Sequence, residues 1–409
     1  MLTPEYLNEC ADYLLGMYDA LNESLVEDIA RRIVKTGRMT DSAKWQTKQL
    51  RESGMLLEDI IKEVARVSGK TQAEIRRIFK DSAQHGVRYD ADPLIKAGYD
   101  VELKLSPAMA QVLDAAVAKT EGDIKNLTMT TGSTAQGLYI EVTNNAYMKV
   151  TSGGFSYTEA IRQAIRDAAA DGGYVLYRNN SRSQLDVAIR RSVLTGVNQT
   201  AGKLTELYAK DMGAEYYETS AHAGARPTHA VWQGRVFKID GSTPDYPNFV
   251  ESTGYGTGAG LCGWNCRHSF YPFWPGISKP AYTKEKLEWY EAKRFRYQGQ
   301  KLTDYECSQI QRGLERKIRE YKRILASYDA AIKETGSEEM EKCLREGFAE
   351  ESVKLKAKEK ELKEFCKQTN RSVDSARTQV VAYKDENGKI VNFGRSTAQK
   401  AVWANKKRK

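Results

Sequence analysis

The stretch LCGWNCRHSF, residues 261–270, sets three residues between Cys262 and Cys266 and puts His268 two positions further on. The chain has only four histidines, and three of them, His222, His229 and His268, lie close to these cysteines. Thiolates and imidazoles at such spacing are the donors zinc takes, commonly as a tetrahedron of four. Cys262 and Cys266 with two of the three histidines would close that tetrahedron and tie a strand region to a Gly-rich loop. A second chemistry is nucleophilic: Cys266 or Cys262 as thiolate, with His229 or His222 as its base. Neither the caspase nor the papain local signature surrounds these cysteines. A disulfide between Cys262 and Cys266 is disfavoured in a reducing compartment. The plain alternative is that His222 and His229 cap loops and the cysteines are small buried residues.

Two other motifs fail on context. Gly69-Lys70-Thr71 ends like a phosphate loop, but Val64 occupies the position that needs the first glycine, and the flanks are helical. GAGLCG, 258–263, matches G-x-G-x-x-G without a strand before it or a helix after it, so it reads as a flexible loop. FGRSTAQ faintly echoes a Ser-Thr-Ser step of ADP-ribosylating toxins, but no acidic residue follows Glu386.

The elements that must position the Cys/His cluster divide the chain into four stretches. Residues 1–100 read as helices. Thr3 caps a start with Pro4 at the first position, and Leu7, Tyr13, Leu14, Tyr18, Leu21, Leu25, Ile29 and Ile33 form one stripe. A break at 36–39, a helix over 42–52 and a third carrying Leu56 to Val64 follow. Thr71 and Glu74 make a capping box for a fourth. Residues 101–280 read as a mixed α/β domain. Its helices start at Ser106, Ser156 and Ser183, LYIEVTNNAYMKVT is a strand or an irregular helix start, and AEYYETSAH and WQGRVFKI alternate like strands. Residues 281–370 carry two helical stripes with a polar break between them, the pattern of an antiparallel hairpin. In 371–409, VVAYKDENGKIVNF reads as a β-hairpin turning at Asn387-Gly388. The expected fold class is therefore α+β and mostly helical.

Composition narrows the class. The 409 residues are 41% hydrophobic and 29% charged, enough apolar material for a core. No apolar run approaches the length of a transmembrane helix. MLTPEYLNEC has neither a basic nor an apolar signal region, which points to cytoplasmic assembly and no membrane partner. Cys10, Cys307, Cys343 and Cys366 sit in helical patterns as ordinary buried or half-buried thiols. The net charge is +9, and Lys389, Arg395, Lys400, Lys406, Lys407, Arg408 and Lys409 supply +7 of it with no acid among them. With Trp403 available to stack, this segment suits a nucleic-acid or other acidic partner. The alternative is a solvated terminus.

SAHAGARPTHAVWQGRVFKI, YPNFVESTGYGTGAGLCGWNCRHSFYPFWPG and YECSQIQRGLERKIREYKR, in that order, resemble the minor capsid protein 2 family of tailed bacteriophages and prophages. The middle block also looks like the wider Mu F-type head-morphogenesis domain. The resemblance implies a structural virion component, assembled in the bacterial cytoplasm and built into the head. Its implied partners are the portal protein, other head proteins and packaged DNA. It also implies that Arg226, Pro227, His229, Trp232, Gln233 and Gly234 belong to the family signature, with Cys262, Cys266, Arg267 and His268. No catalytic role comes with them. The competing expectation is a phage-encoded Cys/His hydrolase or an effector delivered into the host.

Overall fold

The structure is a computed structural model that describes residues 2–36, 42–101, 103–378, 382–384 and 390–392. Helices α1 (Pro4–Glu9), α2 (Asp12–Thr36), α3 (Ser42–Lys96), α4 (Pro107–Thr151) and α5 (Tyr157–Asp171) come first. Strands β1 (Tyr174–Leu176) and β2 (Arg182–Gln184) lead to α6 (Leu185–Asp211). Next come β3 (Tyr216–Thr219), α7 (Pro227–Ala230), β4 (Val236–Lys238), α8 (Phe249–Thr253) and β5 (Phe270–Phe273). After them run α9 (Lys284–Glu291), β6 (Phe295–Tyr297), β7 (Gln300–Leu302), α10 (Asp304–Glu334) and α11 (Glu338–Gln368). The last elements are α12 (Ser375–Thr378), β8 (Ala382–Lys384) and β9 (Ile390–Asn392). The fold is α+β and mostly helical, with a few small antiparallel sheets.

The chain forms two compact units, each discontinuous in sequence, where the linear reading drew four contiguous stretches. The first gathers Met1–Asp12, Lys70–Ile124 and Arg190–Ile310. Its sheet has the order β4-β3-β5, with Tyr217 opposite Phe237 on one side and Pro272 on the other. Tyr217, Phe249 and Phe270 meet edge-on at 4.8–4.9 Å and form the centre of an apolar cluster. A second cluster packs Ala83, Val87 and Ala91 of α3 against Leu204 and Tyr208 of α6. Such aromatic pairs add to the area they bury.

The second unit gathers Tyr13–Gly69, Lys125–Ile189 and the described residues from Gln311 onward. Helix α5 starts where Ser156 accepts the Glu159 N–H, stops at Gly172 (φ 63°), and buries Ala160, Ile161, Ala164, Ile165 and Ala168 on one face. Arg166 joins it to Glu351 of α11 at 3.0 Å. The expected helical hairpin is α10 with α11. Its cross-links run antiparallel: Lys322 to Glu359 at 3.7 Å, and Gln311 to the Ser372 carbonyl at 3.1 Å.

Several local expectations change. Residues 42–96 form one helix, so Thr71 and Glu74 are interior positions, both buried, and cap nothing. The leading stripe is interrupted at Cys10, leaving α1 capped by Thr3 as expected. LYIEVTNNAYMKVT is helical throughout, within α4. β8 and β9 pair as expected, while their turn at Asn387-Gly388 lies outside the described residues.

Candidate metal centre

Two segments of the first unit converge. Pro227 opens the four-residue α7, and His229 is its third residue. The N–H groups of Trp232 and Gln233 return to the His229 carbonyl and turn the chain back toward β4. Cys266 and His268 lie on the loop that enters β5. That loop follows a tightly coiled glycine segment. Gly254 closes α8 in the left-handed region, Leu261 N–H reaches the Thr253 carbonyl, and Trp264 N–H reaches the Gly258 carbonyl. A Cβ on Gly260 would collide with the backbone of Gly254, and one on Gly263 with the Thr257 and Gly258 carbonyls. Cys262 and Asn265 themselves have positive φ (58° and 55°). From α6, the fully buried Asn198 donates its amide to the Cys266 and His268 carbonyls at 3.3 and 2.9 Å.

His229, Cys266 and His268 form the one His/Cys/acid group found among the described residues with metal-ligand spacing, and all three are buried. The two Nδ1 atoms stand 3.4 Å apart, and Cys266 Sγ is 3.7 Å from each. Trp232 lays its ring 4.7 Å from the His229 ring and 4.8 Å from that of His268.

The surrounding hydrogen bonds fix the ring protons. Gln233 Nε2 donates to Glu291 Oε1 at 3.0 Å, so Gln233 presents its oxygen inward, where it accepts from the His222 N–H. His268 Nε2 faces that same oxygen at 3.1 Å and must therefore donate. His229 Nε2 faces the Ala259 carbonyl at 2.9 Å and must also donate. A neutral imidazole carries one N–H. Both Nδ1 atoms are thus lone pairs, directed at each other and at one sulfur.

Burial, followed by repulsion from His222, His229 and Arg226, holds the His268 ring well below the usual histidine range. Burial, countered by the Ala259 carbonyl, lowers His229 as well. Both imidazoles are neutral at neutral pH, the form that binds metals. Burial also raises the thiols of Cys262 and Cys266. That is opposite to the shift an activated cysteine nucleophile needs.

The other sequence candidates occupy supporting places. Cys262 Sγ points at the His268 carbonyl, 3.8 Å away, and packs in the aromatic cluster. His222 stacks on His268 at 4.4 Å, and its Nδ1 contacts the Ala223 carbonyl. Arg226 Nη2 donates to the Trp264 carbonyl at 2.6 Å, pinning α7 to the loop. Gly234 has φ 65°, and a Cβ there would meet Leu287, Ala221 and Tyr282. Arg267 is half-buried. Lys389, Arg395, Lys400, Trp403, Lys406, Lys407, Arg408 and Lys409 lie outside the described residues. The sequence reading missed Asn198. Its one visible signal is an amide set among Val193, Val197, Ala201 and Leu204 in the helix.

Comparison with known proteins agrees with the quoted blocks. The family model for phage minor capsid protein 2 matches residues 2–367. A protein described as "Structural protein" from Lactococcus phage LL-H is 26% identical over 305 residues, spanning 70% of this chain and 79% of that one. No solved structure matches. A match across nearly the whole chain, together with the ordered blocks around the Cys/His cluster, makes this chain a member of the phage minor capsid protein 2 family.

Proposed function

We propose that this protein is a minor structural component of a tailed-phage head. It assembles in the host cytoplasm, sits at the portal vertex among other head proteins, and touches packaged DNA through its basic C-terminal segment. The observation that carries the head assignment is the family match over residues 2–367. The DNA contact rests on the charge distribution, +7 of the net +9 lying within 387–409. Cations on phosphate release condensed counterions, so affinity must fall steeply with salt. No helix among the described residues is long and apolar enough to cross a membrane.

The test has two parts. Purified particles should contain the chain, and the full-length protein should co-purify with the portal protein. Duplex DNA binding is then titrated against salt for the full chain and for a chain lacking 387–409. Seven phosphate contacts correspond to a loss of up to about six in the slope of log K against log salt. Equal slopes for the two chains remove the DNA assignment. Absence from particles removes the head assignment.

A further inference from the structure

The proton accounting around His229 and His268 leaves a configuration that side chains alone do not satisfy. Two buried nitrogen lone pairs face each other at 3.4 Å. Cys266, 3.7 Å from both, has a single S–H to offer two acceptors. Buried polar groups left unpaired in this way are costly. A cation between the three atoms satisfies all of them, and the thiol proton leaves as it binds.

The spacing matches that solution. With bonds of about 2.05 Å to nitrogen and about 2.3 Å to sulfur, a tetrahedral zinc has edges of about 3.4 Å between nitrogens and about 3.6 Å from nitrogen to sulfur. The observed edges are 3.4, 3.7 and 3.7 Å. The outer contacts fit as well. Metal-bound imidazoles donate their other N–H to a carbonyl or carboxylate, which fixes the tautomer. His229 does so to Ala259 and His268 to Gln233, which is itself held by Glu291.

We propose that His229, Cys266 and His268 hold one zinc ion through Nδ1, Sγ and Nδ1, with Cys262 and His222 outside the ligand set. Mixed imidazole and thiolate donors suit zinc, which needs no redox partner. The ion cross-links α7 to the loop before β5 over 37 residues. This inference is independent of portal and DNA contact.

The test uses the full-length protein, purified without chelator from zinc-supplemented medium. Elemental analysis should find about one zinc per chain. Cys266→Ser and His268→Ala should abolish it, whereas Cys262→Ser and His222→Ala retain it. Because the first two variants can also unfold the unit, the parent protein carries a second reading. Cobalt substitution should give tetrahedral visible bands and a thiolate charge-transfer band of single-thiolate intensity, unchanged by Cys262→Ser. Chelation should expose one further reactive thiol. Failure of the parent to bind zinc or cobalt overturns the site, and copper in place of zinc overturns the choice of ion. Loss of zinc in folded Cys262→Ser or His222→Ala overturns the ligand set.

Discussion

Replacing Asn198 with Leu keeps most of the side-chain shape and removes both donors to the ligand loop. The carbonyls of Cys266 and His268 then lose partners at 3.3 and 2.9 Å in a site where Asn198 has no exposure. Each buried carbonyl stripped of its donor costs about 1–3 kcal/mol, with the longer bond at the low end. Asn198 Oδ1 is itself buried without a hydrogen-bond partner, so its removal returns about 1 kcal/mol. The net expectation is a loss of about 1–3 kcal/mol. At a urea m-value of about 2 kcal/mol/M, the midpoint falls by about 0.5–1.5 M. Tryptophan fluorescence reads the right transition, because Trp232, Trp264, Trp274 and Trp289 all belong to the first unit. The titration is run in chelator, so that metal affinity does not enter. Asn198→Asp sharpens the test: the introduced carboxyl faces two carbonyl oxygens, and its penalty grows as pH rises through its titration. A loss under about 0.5 kcal/mol for Asn198→Leu would refute the reasoning, since it would mean that the loop carbonyls do not depend on this amide.

Gly260→Ala and Gly263→Ala should sharply reduce soluble yield, because their added methyl groups meet backbone. Gly241→Ala, with φ 74° and open space, should cost only about 1 kcal/mol, as measured by thermal melting. Arg32→Met should cost about 3–5 kcal/mol by urea-monitored circular dichroism, since it leaves the sheltered Glu52 carboxylate, 3.0 Å from the guanidinium, uncompensated. Burial, then the neighbouring Glu27, pushes the Glu23 carboxyl up to about 8. The folded state therefore binds the extra proton, and stability declines as pH rises from the ordinary carboxyl range to about 8. Glu23→Gln should flatten that decline, and an unchanged pH profile of the melting midpoint would contradict the shift.

Cys266, His268 and His229 were visible in the sequence because their types are scarce and bunched. What spacing could not show is that Cys266 alone of the two cysteines joins His229 and His268, while the Cys262 thiol lies 3.8 Å from the His268 carbonyl. Gln233 and Ala259 set the ring tautomers through side-chain and backbone oxygens brought together only by the fold. The same limit governed α4. Its β-branched run left a strand open beside an irregular helix start, yet Thr143 returns its hydroxyl to the Tyr139 carbonyl at 2.7 Å. The Tyr139 hydroxyl meets that of Thr36 inside the second unit. Tertiary packing of this kind overrides local propensity. The α3 break expected at Thr71 failed similarly, because a capping box is silent when its residues are buried inside a continuous helix.

Ser269 donates to the carbonyl of Leu2 at 3.2 Å, a contact that spans 267 residues. At about 5–20 residues per second, a ribosome needs roughly 13–50 s between making one partner and making the other. Leu2, 1% exposed in the finished unit, must wait that long for this partner. The first unit thus closes late in synthesis, after α6, the glycine coil and β5 have emerged. A nascent chain stalled before Ser269 can already seat Tyr6 against Ser82 and His85 of α3, but it lacks the Ser269 hydroxyl that fastens the Leu2 carbonyl, so the earliest-made residues of this unit are the last to be tied down.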